Sequence, residues 1–245
     1  MDIIYLIPLI VGAFLSYLSA AFAGFGGILI PIALGAAFYS IEWMLAVLVP
    51  LTLLSNGYIL VRHYRNIDTT ILFRKILPYM GIGLFVGILT FNRLHGALQE
   101  TIFGVLVVFL SVRELYLLLR RGDPSPPLGG LRAFLYIFSA GIIHGMYASG
   151  GPLLIYVLNK FNLEKSVFRS TISAVWLILS VFLTSSYVIT NRLTPATLHT
   201  SLLMLPSLVS GLLLGEYLHR KSSGRTFKIV VFAMLLFSGL SIVFR

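Results

Sequence analysis

The sequence predicts an all-α polytopic membrane protein made of two inverted repeats, each a re-entrant hairpin of broken helices followed by three transmembrane helices. Three observations carry this expectation. The 245 residues are 58% hydrophobic and 11% charged, with a mean hydropathy of +0.97, well outside the composition of ordinary soluble domains. Uncharged stretches near the ~20 residues that cross ~30 Å of hydrocarbon follow one another with short links. Blocks marked by glycine and proline recur in the second half of the chain.

The same composition excludes other classes. A membrane β-barrel would show short alternating segments. The net charge of +10 does not indicate nucleic acid, because the basic residues fall in short loops between apolar spans, where they anchor and orient helices. With no cysteine, disulfides and thiolate metal sites are ruled out. Ala21-Phe22-Ala23 resembles a signal-peptide cleavage site, but the segment before it lacks a basic n-region and reads as the first membrane segment.

The first element is the uncharged run 3–41, between Asp2 and Glu42. Within it "AAFAGFGGILIPIAL" (20–34) places Gly24, Gly26 and Gly27 ahead of Pro31. Glycine weakens a helix interior and proline breaks its ladder. The run is too long for one pass, whereas 28–39 alone makes only ~18 Å of helix and cannot span. A hairpin that turns at the glycines and leaves on the side it entered satisfies both limits. Spans at 43–61, 71–91 and 97–119 complete the first repeat, residues 1–121. "RRGDPSPPLGG" supplies a polar Pro/Gly linker, centred on 122–128. The second repeat, 129–245, then holds a hairpin at 133–159 and spans at 167–190, 196–218 and 226–244.

Internal alignment supports this division. "AGFGGILIPIAL" (23–34) lies over "YASGGPLLIYVL" (147–158), pairing Gly26 and Gly27 with Gly150 and Gly151. "LPYMGIGLFVG" (77–87) lies over "LPSLVSGLLLG" (205–215), matching Pro78 with Pro206, Gly83 with Gly211 and Gly87 with Gly215. "TIFGVLVVF" (101–109) lies over "RTFKIVVFA" (225–233).

The basic residues choose between topologies. Eight simple crossings would put the cations of the two halves on opposite faces, against the rule that short cytoplasmic loops are basic. With each hairpin re-entrant, the second half is inverted relative to the first. Only Arg93, Arg192 and Arg245 of the 18 basic residues then lie on the outer face. The expectation is a multi-pass protein of the cell inner membrane with both termini on the non-cytoplasmic side.

Inverted repeats with broken helices meeting near the midplane are a common way for secondary transporters to build a substrate site. Half-helices that begin at the two Gly-Gly pairs aim positive ends and free N–H groups inward, which favours an anion. The entering helices bring negative ends to the same tips and oppose that preference.

"GFGGILIP", "PLT" (50–52) with "RHYRNID" (62–68), "GIGLFVG" (81–87), "GMYASGGPLL" (145–154) and "FRST" (168–171) together resemble the TauE/SafE sulfite exporters, also called the toluenesulfonate uptake permease family. The resemblance covers essentially the whole chain. It implies transport of sulfite, organosulfonates or related sulfur-containing anions across the inner membrane, in either direction. The paired Gly-Gly hairpins with Arg169 and Thr171 are its more specific elements.

The candidate substrate-binding residues each carry two readings. Gly26, Gly27, Gly150 and Gly151 either donate N–H groups to an oxyanion or allow close helix packing. His144, within two turns of the second tip with Tyr147, either binds the anion or a coupled proton or rests neutral on a carbonyl. Ser149 offers a hydroxyl at the tip or a helix cap. Thr52 and Asn56, one turn apart on one face, and Thr171 and Ser173 in the second half either line a site or make interhelical hydrogen bonds. Arg169 either draws anions into a vestibule or snorkels to headgroups. Arg74, Lys75, Arg113, Glu114, Glu216 and the basic residues of 219–225 read as interfacial anchors.

No cofactor or metal is expected. No acidic pair suits two metals, His63, His95 and His199 are scattered, and the glycine-rich tips do not match a phosphate-binding loop. The expected function is a secondary transporter for a small sulfur anion, working by alternating access around a midplane site at the two tips. Its partners are the anion and the lipid bilayer, with a proton as candidate coupling ion and a homodimer as candidate assembly. The alternatives are an intramembrane enzyme using His144 and nearby hydroxyls, and a non-transporting membrane scaffold.

Overall fold

A computed structural model describes residues 3–23, 28–94, 97–119, 128–161, 163–221 and 225–244. The described residues are almost wholly helical and contain no strand. In chain order they form α1 (Ile3–Ala23), α2 (Leu29–Gly35), α3 (Ile41–His63), α4 (Leu77–Arg93), α5 (Ala97–Leu119), α6 (Gly130–Tyr147), α7 (Gly151–Leu158), α8 (Lys165–Ile189), α9 (Pro195–Leu203), α10 (Leu205–Lys221) and α11 (Arg225–Val243). Among the described residues, four helical segments are long and apolar enough to cross a membrane, Ile41–Asn66, Ile71–Arg93, Ala97–Leu119 and Ser166–Ile189, and α9 with α10 makes a fifth if that bent pair counts as one span. The protein is thus an all-α, multi-pass membrane protein. Large apolar side chains such as Phe85, Leu89, Phe109 and Leu213 are more than half exposed, as lipid-facing surfaces are and water-facing ones rarely are.

Proline shapes two of these elements. The span expected at 196–218 is not one helix, because α9 and α10 meet at a bend of 40°. Pro206, at the second position of α10, has no N–H for the carbonyl of Leu202, so the ladder opens there. Pro78 stands at the same place in α4, and the turn before it, Ile71–Ile76, is wound as a π-helix.

Two compact units form, and each draws on both halves of the sequence. The first comprises Met1–Leu45, Leu94–Asp123 and Leu202–Arg245. Here α2 folds back along α1: a Cβ on Gly12 would lie 2.5 Å from the Cα of Pro31, and one on Gly35 would lie 3.6 Å from a methyl of Leu9. Residues 3–41 are therefore two helices rather than one rod. Gly24, Phe25, Gly26 and Gly27, where they join, lie outside the described residues. α10 runs parallel to α1, with Gly211 against the carbonyl of Phe14 and Gly215 against that of Leu18. α5 and α11 run antiparallel, with Gly104 on Val243 and Gly239 on Val107.

The second unit comprises Ala46–Arg93 and Pro124–Ser201. α4 and α6 pack in parallel through four glycines. Gly83 meets the Cα of Gly141 and Gly87 that of Gly145, each at 3.0 Å from the Cβ it would otherwise carry. Without water to drive apolar faces together, close approach of backbones is what holds membrane helices, and glycine permits it. α7 folds back along α6, bringing the rings of Tyr136 and Tyr156 to 5.1 Å. α8 runs parallel to α4: near the helix starts the N–H of Asp68 reaches Thr171, and further along Phe85 meets Phe182 at 6.0 Å.

Candidate functional site

All the candidate residues except Gly26 and Gly27 fall in the second unit, and Gly26 and Gly27 lie outside the described residues. Of these candidates, His144, Tyr147, Ser149, Gly150 and Gly151 lie at the break between α6 and α7. α6 ends when Ala148 takes a left-handed conformation, φ 51° and ψ 32°, its N–H donating to the carbonyl of His144 at 2.8 Å. Ser149, 3% exposed, follows, and α7 starts at Gly151 with Gly150 as its N-cap. The first N–H groups of a helix have no acceptor within it, and Pro152 has none to offer, so the free donors at this end come from the glycines and Leu153.

Gly150 has a second constraint. A Cβ there would collide with the carbonyl oxygen of Ala140 and lie 3.0 Å from the Cε of Met80. Close packing accounts for this glycine whether or not its N–H meets a ligand.

His144, one turn before the break, is 4% exposed. Its ring stacks on Trp176 of α8, with centroids 5.0 Å apart and planes 19° from parallel. Neither ring nitrogen has a hydrogen-bond partner, so no carbonyl satisfies it among the described residues. A neutral imidazole carries one donor and one acceptor, and leaving either bare in a buried place costs ~1–3 kcal/mol. Tyr147 is fully buried and presents an edge to Phe91 of α4, centroids 5.8 Å apart.

Two of the hydroxyl candidates, Thr52 and Thr171, make hydrogen bonds beyond their own helices. Thr52 Oγ1 donates to the carbonyl of Val49 at 2.7 Å and accepts from Ser180 Oγ at 2.9 Å. Asn56 Nδ2 donates to the carbonyl of Thr52 at 2.8 Å, which places both on one face. Thr171 Oγ1 accepts the backbone N–H of Asp68 at 2.9 Å, and the Asp68 carboxylate in turn accepts the N–H of Ile71 at 2.8 Å. Ser173 is 2% exposed in α8, and Arg169 is half-buried in the second turn of that helix. Arg113 and Glu114, expected as anchors, form an ion pair in α5.

The structure adds side chains that the sequence reading did not single out: Trp176 beside His144, Ser180 beside Thr52, and Phe91 beside Tyr147. Trp176 carried a readable signal. It is one of only two tryptophans and shares a helical face with Ser173 and Ser180. Phe91 carried none, since its role depends on α4 lying against α6.

The family model described as sulfite exporter TauE/SafE matches residues 9–242. No curated protein and no solved structure matches the chain.

Proposed function

We propose, since the chain belongs to the TauE/SafE sulfite exporter family, that it is a secondary transporter which moves a small sulfur-containing anion across the inner membrane by alternating access. The observation that carries the reading is His144. A buried histidine with two bare ring nitrogens, held by a tryptophan and one turn from a helix break, is a place prepared for a polar occupant. The N-terminal end of α7 next to it favours negative charge. Ser149 and Ser173 would add hydroxyl donors, since an oxyanion with three or four oxygens needs several at once.

Two further parts of the reading rest on the sequence. Gly26 and Gly27 would act at the first tip as Gly150 and Gly151 do at the second. The two halves would be inverted repeats that rock around the bound anion. The contacts of α4 with α6 and of α10 with α1 support this. Gly83 and Gly87 align with Gly211 and Gly215, and each pair packs on the entering helix of a hairpin from the other half.

The test is flux in liposomes containing the purified protein, with sulfite, sulfate, thiosulfate, sulfoacetate and acetate. Saturable movement of at least one sulfur anion, and none of acetate, is the expected result. His144→Ala should lower that flux at least ~tenfold per folded molecule, the loss of a ~1.4 kcal/mol interaction, and His144→Gln should retain part of it. Wild-type protein that carries no sulfur anion overturns the reading. Full flux in His144→Ala removes His144 from the site.

A further inference from the structure

α8 carries a polar face through the membrane that family membership does not account for. Arg169, Ser173, Trp176, Ser180, Thr184 and Tyr187 follow one another at intervals of three or four residues. At 3.6 residues per turn they share an arc of ~80° and extend over ~27 Å of helix. The adjoining face, Ile172, Val175, Leu179 and Leu183, is apolar and no more than 1% exposed. Burial inside the protein therefore does not by itself demand polar residues on α8. The remaining side, with Val181 and Phe182 about half exposed, faces outward.

A hydroxyl at membrane depth is costly unless it is paired. Ser180 is paired with Thr52. Thr184 Oγ1 is buried with no partner, and so are both nitrogens of His144, whose ring lies on Trp176 in the middle of this face. Thr184 is thus on this face and His144 lies against it, and at membrane depth only water or a solute is left to satisfy such groups.

At the end of α8 away from the basic loops, the chain turns through Asn191 (φ 54°) and holds Arg192 by its backbone N–H on the carbonyl of Tyr187 at 2.9 Å. The guanidinium lies 4.9 Å from the ring centre of Phe91 and 5.8 Å from that of Tyr187. The two rings hold the cation by cation–π attraction, and among the described residues no acceptor or carboxylate is bonded to its N–H groups. Phe91 in turn touches Tyr147, the last residue of α6. A guanidinium is a planar fork of donors that matches two oxygens of a sulfite or sulfonate group.

We infer that the polar face of α8 is the wall of a water-accessible path for the anion through the second unit, and that Arg192 is its recognition residue at the end away from the basic loops. The inference rests on the anion-transport reading for the identity of the solute, but the path itself can be tested without it. The protein has no cysteine, so single cysteines at Ser173, Ser180 and Thr184 can be compared with Ile172, Val175 and Leu179 in the full chain in liposomes. The probe is 2-sulfonatoethyl methanethiosulfonate, an impermeant sulfonate, and the readout is the mass of the intact protein. Modification at least ~tenfold faster on the polar face than on the apolar one, slowed by sulfoacetate, is the expected outcome.

Equal rates on the two faces, or no labelling of either, overturn the path even where the wild type carries sulfite. A clear contrast that sulfoacetate does not slow overturns the path as the anion's route. Absence of sulfur-anion flux from the wild type defeats the transport reading instead and leaves the labelling contrast to stand or fall alone. For Arg192, the Arg192→Gln variant should raise the KM for the carried anion ~tenfold with kcat within ~twofold, and Arg192→Lys should fall between. An unchanged KM in Arg192→Gln removes Arg192 from the path.

Discussion

Thr171 shows how one hydroxyl can be claimed by architecture. It is fully buried in α8 and accepts the N–H of Asp68, whose carboxylate caps the turn that opens the next span. Thr171→Val would leave that N–H bare and should destabilise the protein by ~1–3 kcal/mol, read as a lower melting temperature, while Thr171→Ser keeps the acceptor and most of the stability. The KM for the transported anion should stay within ~twofold in the molecules that remain folded. A large rise in KM without a thermal shift would show that Thr171 meets the substrate. His144 is the opposite case: its neighbours hold the ring by stacking and leave the nitrogens to something else. The sequence put both residues forward as candidates, but it could not separate them, because Asp68 and Trp176 reach them only after the helices pack.

Among the elements, α4 inverts the pattern of a soluble helix. Gly83 and Gly87 face α6, and Ile82, Phe85 and Leu89 are more than half exposed. Small residues inside and large ones outside suit a helix whose outer solvent is lipid. Gly83→Leu should therefore drive α6 away and cost ~1–3 kcal/mol or more, whereas Gly81→Leu, with nothing within 4 Å of its new Cβ, should be tolerated. Thermal stability of the two purified variants compares them directly, and equal melting temperatures would refute the packing role. The spans at 71–91, 97–119 and 167–190 were legible because length and hydropathy are local properties. The 40° bend between α9 and α10 was less so: Pro206 was visible, but proline near a helix start is also a common and harmless position. That residues 3–41 break was legible from the glycines, and that α2 lies against Gly12 was not, since nothing local distinguishes Gly12 from the other small residues of α1.

For the whole molecule, the side of the membrane on which each loop lies decides between re-entrant hairpins and simple crossings. Charge favours the hairpins, because they would collect all but three of the 18 basic residues on one face, which the positive-inside preference would make cytoplasmic. The fold-back of α2 on α1 and of α7 on α6 fits the same arrangement. Three exposed positions discriminate: Thr69, Glu164 and Ala196. With two hairpins, Thr69→Cys and Glu164→Cys lie in the cytoplasm and Ala196→Cys lies outside. With eight simple crossings, Thr69→Cys and Ala196→Cys share a side and Glu164→Cys is opposite, because each hairpin would then add one more passage. In intact cells an impermeant maleimide should label Ala196→Cys alone, and permeabilisation should expose the other two. Co-labelling of Thr69→Cys with Ala196→Cys would abolish the inverted arrangement. The alternating-access reading would go with it, since half-helices that enter from the same leaflet cannot be exchanged by rocking one repeat against its mirror.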